Sequence, residues 1–188
     1  MNIIGIMGVK RSGKDTVSDY FVQNLGFIQY AFGDPLKIAL QSLFMFTDKQ
    51  LWGEEIDKEA VDERWGISPR RMMEIVGTDL FQFDIHKHLR EGELPVGRGL
   101  WVNRFNFWRE DLLNINPSAK IIVSDIRFEH EANRVKELGG QIWKVIRPSI
   151  KSVSTAKAET ELEKIRPDKI LINDSTKEDL YNKIKQNL

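Results

Sequence analysis

The chain has 188 residues, 41% hydrophobic and 30% charged, a composition that supports one packed α/β domain and argues against global disorder. Its 28 Lys and Arg match 28 Asp and Glu, so the basic excess of a nucleic-acid coat is absent. With no cysteine, disulfide scaffolds, thiolate zinc sites and cysteine nucleophiles are excluded, and a reducing compartment is expected.

Ile3–Met7 reads as a buried strand, and Met1 to Met7 as structure with no basic leader. Gly8 to Thr16 then forms a glycine-bearing loop that opens a helix. Phe27 to Ala31 is a weaker strand. Asp34-Pro35 predicts an N-cap and an N1 proline for a helix carrying Leu36, Ala39, Leu40 and Leu43. Residues 47–118 read as a largely helical insert containing Trp52, Trp65, Trp101 and Trp108. Within it, Ser68-Pro69 repeats the helix-start signal before Met72, Ile75, Val76 and Leu80. Asp84, His86, Lys87 and His88 read as a helix surface. Ile121-Ile122-Val123 is a third strand, followed by a helix from Phe128 to Leu138 that stops at Gly139-Gly140. Ile142–Ile146 and Ile170-Leu171-Ile172 complete five strands around the polar segment 148–167. Ser175-Thr176-Lys177-Glu178 has capping-box spacing and starts a helix that buries Leu180, Tyr181, Ile184 and Leu188. This rhythm predicts a doubly wound five-stranded parallel sheet, with an insert and a loop positioned to carry substrate and lid. No apolar run reaches the roughly 20 residues that span a bilayer.

Gly8-Val9-Lys10-Arg11-Ser12-Gly13-Lys14-Asp15-Thr16 has the spacing of a phosphate loop. Glycines let the backbone N–H groups close around phosphate at the positive end of a helix, and Lys14 brings an ammonium to the outer phosphates. The position after Lys14 is ordinarily a hydroxyl that holds Mg²⁺. Here it is Asp15, a hard oxygen ligand that suits the same metal directly or through water, with Thr16 beside it. Asp125 falls at the carboxyl end of a strand, where a metal- or acceptor-binding acid belongs, with Arg127 two residues on. Alternatively Asp125 caps the next helix. Arg70 and Arg71 suit a bound phosphate at a helix start, and Lys37 lies one turn into its own helix. Arg147 ends the fourth strand, and Asn173-Asp174 ends the fifth as either a base-pocket edge or a helix cap. Trp101 is either a base-stacking platform or core.

These segments together resemble the phage deoxynucleoside monophosphate kinases, a branch of the P-loop kinases. The resemblance rests on Gly8 to Thr16 with its unusual Asp15, on Arg70-Arg71 through Gly77-Thr78-Asp79, on Asp125-x-Arg127 with His130-Glu131, and on Arg147-Pro148 and Asn173-Asp174. It implies a single P-loop kinase domain over 1–188, with an acceptor-binding insert at 47–118 and a lid at 148–167. It further implies ATP-dependent phosphorylation of deoxynucleoside monophosphates with Mg²⁺. On that basis Gly8, Val9, Lys10, Arg11, Ser12, Gly13, Lys14, Asp15, Thr16, Asn173 and Asp174 would hold ATP, with Asp15 on the metal. Lys14, Arg11, Asp125 and Arg147 would be catalytic. Lys37, Arg70, Arg71 and Arg127 would grip the monophosphate, and Thr78, Asp79, Trp101 and Glu131 would line the nucleoside pocket. An acceptor phosphate is already a nucleophile, so no general base is required.

Animal-type phosphomevalonate kinases share a similar loop and Asp-x-Arg segment, so a phosphomevalonate kinase-like activity is one alternative. A kinase of a modified-base hydroxyl in DNA is another, with Asp125 as its base, and a nucleotide-binding sensor is a third. The expected partners are small nucleotides, with neither membrane nor nucleic acid, and a homodimer is left open. The expected location is the cytoplasm, the host's if a phage encodes the chain.

Overall fold

The computed structural model describes residues 2–90, 99–150 and 161–188. Five strands form one all-parallel sheet in the order β2-β3-β1-β4-β5. They are β1 (Ile3–Met7), β2 (Phe27–Tyr30), β3 (Lys120–Ile126), β4 (Gln141–Ile146) and β5 (Lys169–Ile172). Every residue of β1 is buried, as its unbroken apolar run requires of a central strand covered on both faces. The chain leaves β1 toward β2 but leaves β3 toward β4, so the connections part between these neighbours. That is the topological switch point where α/β sheets bind ligands beyond the strand ends.

Helix α1 (Lys14–Leu25) follows β1 and ends at Gly26 in the left-handed region. Its inward face, Val17, Tyr20 and Phe21, joins Ile4, Ile6, Phe27, Ile122, Trp143, Val145, Leu180 and Ile184 in one apolar cluster. Phe21 meets Trp143 and Phe27 edge to face at 5.4 and 5.0 Å, so Phe21→Ala would cost about 3–5 kcal/mol.

The described chain divides into two compact units. One runs to Ala31 and resumes at Phe105, and the other is Phe32–Arg104. The first unit holds the sheet and α1. It also holds α7 (Glu129–Glu137), where the Phe128 start and Gly139 stop were expected, and α8 (Lys177–Asn187). The cap of α8 is Thr176 with Asp179, one residue beyond the predicted Ser175–Glu178 pair. Thr176 Oγ1 accepts from the Asp179 N–H, and the Asp179 carboxylate takes the Ser175 hydroxyl.

The second unit contains α2 (Asp34–Phe44), α3 (Asp48–Trp52), α4 (Glu55–Glu59) and α5 (Pro69–Glu74). A ten-residue π-helix (Ile75–Asp84) and a 3-10 turn (Ile85–His88) follow, and α6 (Leu100–Ile115) begins in this unit. Asp34 is the first residue of α2 and not its cap, which is Gly33. Ser68 caps α5 as expected, its Oγ accepting from the Arg71 N–H at 3.2 Å. Buried Asp62 organises the segment before it. Its carboxylate takes two N–H groups of Arg64 at 2.9 and 2.6 Å and Gln50 Nε2 at 2.9 Å, and these bonds hold it far below the usual carboxylate range. Arg64 and Trp65 then donate to the carbonyls of Met45 and Phe44, closing the open end of α2. Among the described residues no helix is long and apolar enough to cross a membrane.

Candidate active site

The loop after β1 is shaped by close approach. A Cβ on Gly8 would lie 2.5 Å from the Val145 carbonyl oxygen. One on Gly13, at φ 103°, would lie 2.5 Å from Asn173 Nδ2, so neither position accepts a side chain. Arg11 is held at φ 64°, a strained setting for a non-glycine residue and one that clusters at ligand-binding loops. No side chain caps α1, whose first turn carries Asp15, and such a helix start is the positive end that suits an anion. Ser12 is fully buried, and its Oγ has no hydrogen-bond partner among the described residues. Lys14 Nζ folds back onto the Val9 carbonyl at 3.1 Å. An orphaned hydroxyl, a helix start with no side-chain cap and an ammonium on the loop fit a polyphosphate.

Two strand ends border this loop within the same unit. At β3 the pairing with β1 steps from Gly5↔Val123 to Met7↔Ile126, so Ser124 and Asp125 occupy a bulge with one extra residue. Bulges re-aim side chains beside functional sites, and this one carries Asp125 at the end of the strand. Asp125 does not cap α7; Phe128 occupies that position. Glu131, 2% exposed, accepts the backbone N–H of Arg127 at 2.8 Å and of Phe128 at 3.1 Å through Oε2. Burial, and then the neighbouring Asp125 carboxylate, push the Glu131 carboxyl up to about 8 against the pull of those two donors. This carboxyl therefore lies inside the turn and not in an open nucleoside pocket. Arg127 itself is exposed, as is Arg147 beyond β4.

At the end of β5, Asn173 Nδ2 donates to the Ser12 carbonyl at 2.9 Å, and its own N–H meets Ile146 O at 2.7 Å. Asn173 therefore clamps the loop and caps no helix. Asp174 holds Lys183 at 2.5 Å, and that bond keeps its carboxyl below the usual range.

The second unit gathers all the remaining candidates. Arg70 Nη2 reaches both carboxylate oxygens of Glu55 at 2.8 Å. Arg71 is 3.3 Å from Glu74 and 3.8 Å from Asp79. Lys37 Nζ is 3.0 Å from Asp34 and lies over the Trp52 ring at 5.5 Å. Partly exposed pairs of this kind contribute about 0–1 kcal/mol. Gly77, Thr78 and Asp79 lie in the π-helix, a form enriched at functional sites. Trp101, 9% exposed, donates Nε1 to the Gly77 carbonyl at 3.2 Å and meets Phe81 edge to face. It is a buried wall and not an open platform. Three features have no sequence signal: the bulge at Asp125, the Glu55 partner of Arg70 and the buried Gln82.

A parallel sheet with a phosphate loop after its central strand and an acid at the end of the adjacent strand defines a P-loop kinase architecture. A solved sugar kinase from Janibacter sp. HTCC2649 shares the fold, with TM-score 0.50 and 15% identity, covering 99% of this chain and 93% of its own. The chain belongs to the deoxynucleotide monophosphate kinase family, whose sequence profile matches residues 2–62 and 49–184. A protein of Acanthamoeba polyphaga mimivirus that carries this family's name is 41% identical over 98% of this chain and 94% of its own length. The deoxynucleotide monophosphate kinase of Enterobacteria phage T4 is 25% identical, covering 100% of this chain and 99% of its own. The latter alignment is 254 positions long against 188 residues here, so the phage protein carries segments this chain lacks.

Proposed function

We propose that the chain transfers the γ-phosphoryl group of ATP to a deoxynucleoside monophosphate, yielding ADP and the diphosphate. The observation that carries this reading is the Gly8–Thr16 cradle, with its orphaned Ser12 hydroxyl, uncapped helix and two positions closed to any Cβ. Family membership directs it to a deoxynucleotide acceptor. One oxygen of the acceptor phosphate attacks the γ-phosphorus in line. The bond from that phosphorus to the bridging oxygen breaks, and its electrons leave with ADP. Catalysis is positioning and charge neutralisation. Lys14 turns from Val9 O to the outer phosphates, and Arg11 and Arg147 add charge from the rim. Asn173 fixes the loop through the Ser12 carbonyl. In the second unit Lys37, Arg70 and Arg71 are the cations for the acceptor's phosphate, and Thr78, Asp79 and the Trp101 wall shape the nucleoside site; in the first unit Arg127 is a further phosphate-binding cation. Glu131 is a positioning residue that acts through the Arg127–Phe128 backbone.

Mg²⁺ fits the oxygen donors that open α1. Asp15 and Thr16 stand in its first turn, and this metal binds through one or two carboxylates and substrate phosphates. When bound, it neutralises charge on the β- and γ-phosphates. Asp15 would hold it, with Asp125 available from β3. The whole is one P-loop kinase domain, with acceptor residues in the insert at 47–118 and from Lys37, and a lid at 148–167, of which 151–160 lie outside the described residues. Lys14→Ala tests the reading. It should abolish ADP formation while leaving monophosphate binding, followed by calorimetry, within about twofold. Persisting turnover would refute the role of the loop.

A further inference from the structure

Gln82 lies in the π-helix and is 2% exposed. Its Oε1 is buried with no hydrogen-bond partner among the described residues. Leaving a buried carbonyl oxygen unpaired costs about 1–3 kcal/mol, a burden a fold tolerates where a ligand supplies the missing donor. The surroundings indicate which ligand. Gly77 and Gln82 are five residues apart, one hydrogen-bonded π turn, and they are the two buried residues of that helix. Gly77 has no room for a side chain: a Cβ would lie 2.3 Å from Leu36 Cδ2. Its carbonyl takes the Trp101 indole N–H, and Trp101 packs on Phe81 at 5.7 Å and 74°. Thr78, next to Gly77, begins the same turn. Gln82 thus offers one uncharged acceptor on the helical segment that Trp101 covers and that the kinase reading assigns to the nucleoside, and such an acceptor suits a flat, nitrogen-rich ring.

We propose that Gln82 is a specificity-determining residue that reads the acceptor's base, its Oε1 accepting an N–H from the base's hydrogen-bonding edge. The inference rests on the nucleotide kinase reading and deepens it. A site built around one hydrogen-bond acceptor discriminates strongly, because the wrong base leaves that acceptor unpaired.

The test is Gln82→Leu, with Gln82→Met as a second, unbranched replacement. Steady-state constants are measured with dTMP, dGMP, dAMP and dCMP, together with KM for ATP and the melting temperature. The expected result is a KM at least tenfold higher for the preferred monophosphate and an altered order of preference among the four bases. KM for ATP should stay within twofold. An unchanged order of bases with a raised melting temperature would overturn the inference, showing an oxygen that is merely unsatisfied. Unfolding of both variants would overturn it too, because the chain itself would then supply the donor. Failure of the wild-type protein to turn over any monophosphate would instead defeat the kinase reading, and this inference with it.

Discussion

Replacing Glu131 by glutamine removes a proton whose position the fold controls. The Glu131 carboxyl titrates near its ordinary 4.5 in the unfolded chain and at about 8 when folded. Between those values the unfolded chain has lost the proton and the folded one retains it, so stability falls as pH rises through this window. Above about 8 the loss is complete. At 1.36 kcal/mol per pH unit, the span from 4.5 to about 8 amounts to about 5 kcal/mol. Between pH 5.5 and 8.5 the expected loss is about 3 kcal/mol. The glutamine side chain in Glu131→Gln would keep a carbonyl oxygen for the N–H groups of Arg127 and Phe128 and would carry no charge at any pH. Urea unfolding of both proteins at pH 5.5 and 8.5 measures the difference. Glu131→Gln should be close to wild type at the lower pH and the more stable protein at the higher one. Parallel pH dependence in the two proteins would refute the reasoning, because it would mean that Glu131 is ionised throughout.

Other expectations follow from single contacts. Gly13→Ala places a Cβ 2.5 Å from Asn173 Nδ2 at φ 103°, so ATP affinity by calorimetry should fall at least tenfold. Arg70→Ala and Arg71→Ala should each raise KM for the monophosphate about tenfold and leave KM for ATP unchanged; lost ATP affinity would contradict their assignment. Asp15→Ala should shift the Mg²⁺ dependence of turnover to several-fold higher concentration, and an unchanged titration would remove Asp15 from the metal site.

The legible parts of this chain were those governed by local pattern. Ile3–Met7 and Ile142–Ile146 are apolar almost without interruption because their strands are covered on both faces, and Ser68-Pro69 specifies its helix start through two short-range effects. The phosphate loop was equally readable from its spacing, although the crowding that demands glycine there comes from the Val145 carbonyl on β4 and the Asn173 side chain at the end of β5. Non-local features were not. The caps of α2 and α8 fell one residue from the prediction because neighbouring Gly33 and Thr176 compete with equally plausible residues. Ile75, Val76 and Leu80 suggested an ordinary helical face, yet the segment winds as a π-helix, which places Gly77 and Gln82 inward and leaves Leu80 exposed. The family resemblance placed Glu131 in the nucleoside pocket, and nothing in its local spacing marked it as buried. Its burial depends on a turn built around the β3 bulge, and no spacing in the sequence encodes that bulge. Arg70 showed its charge but not its partner, because Glu55 arrives from a separate helix.

The most direct measurement is ADP release from ATP and Mg²⁺, with dTMP, dGMP, dAMP, dCMP, the matching ribonucleotides and phosphomevalonate offered one at a time. The account predicts turnover with at least one deoxynucleoside monophosphate, its loss in Lys14→Ala, and none with phosphomevalonate. Turnover with phosphomevalonate alone, or with no acceptor in the panel, would contradict it.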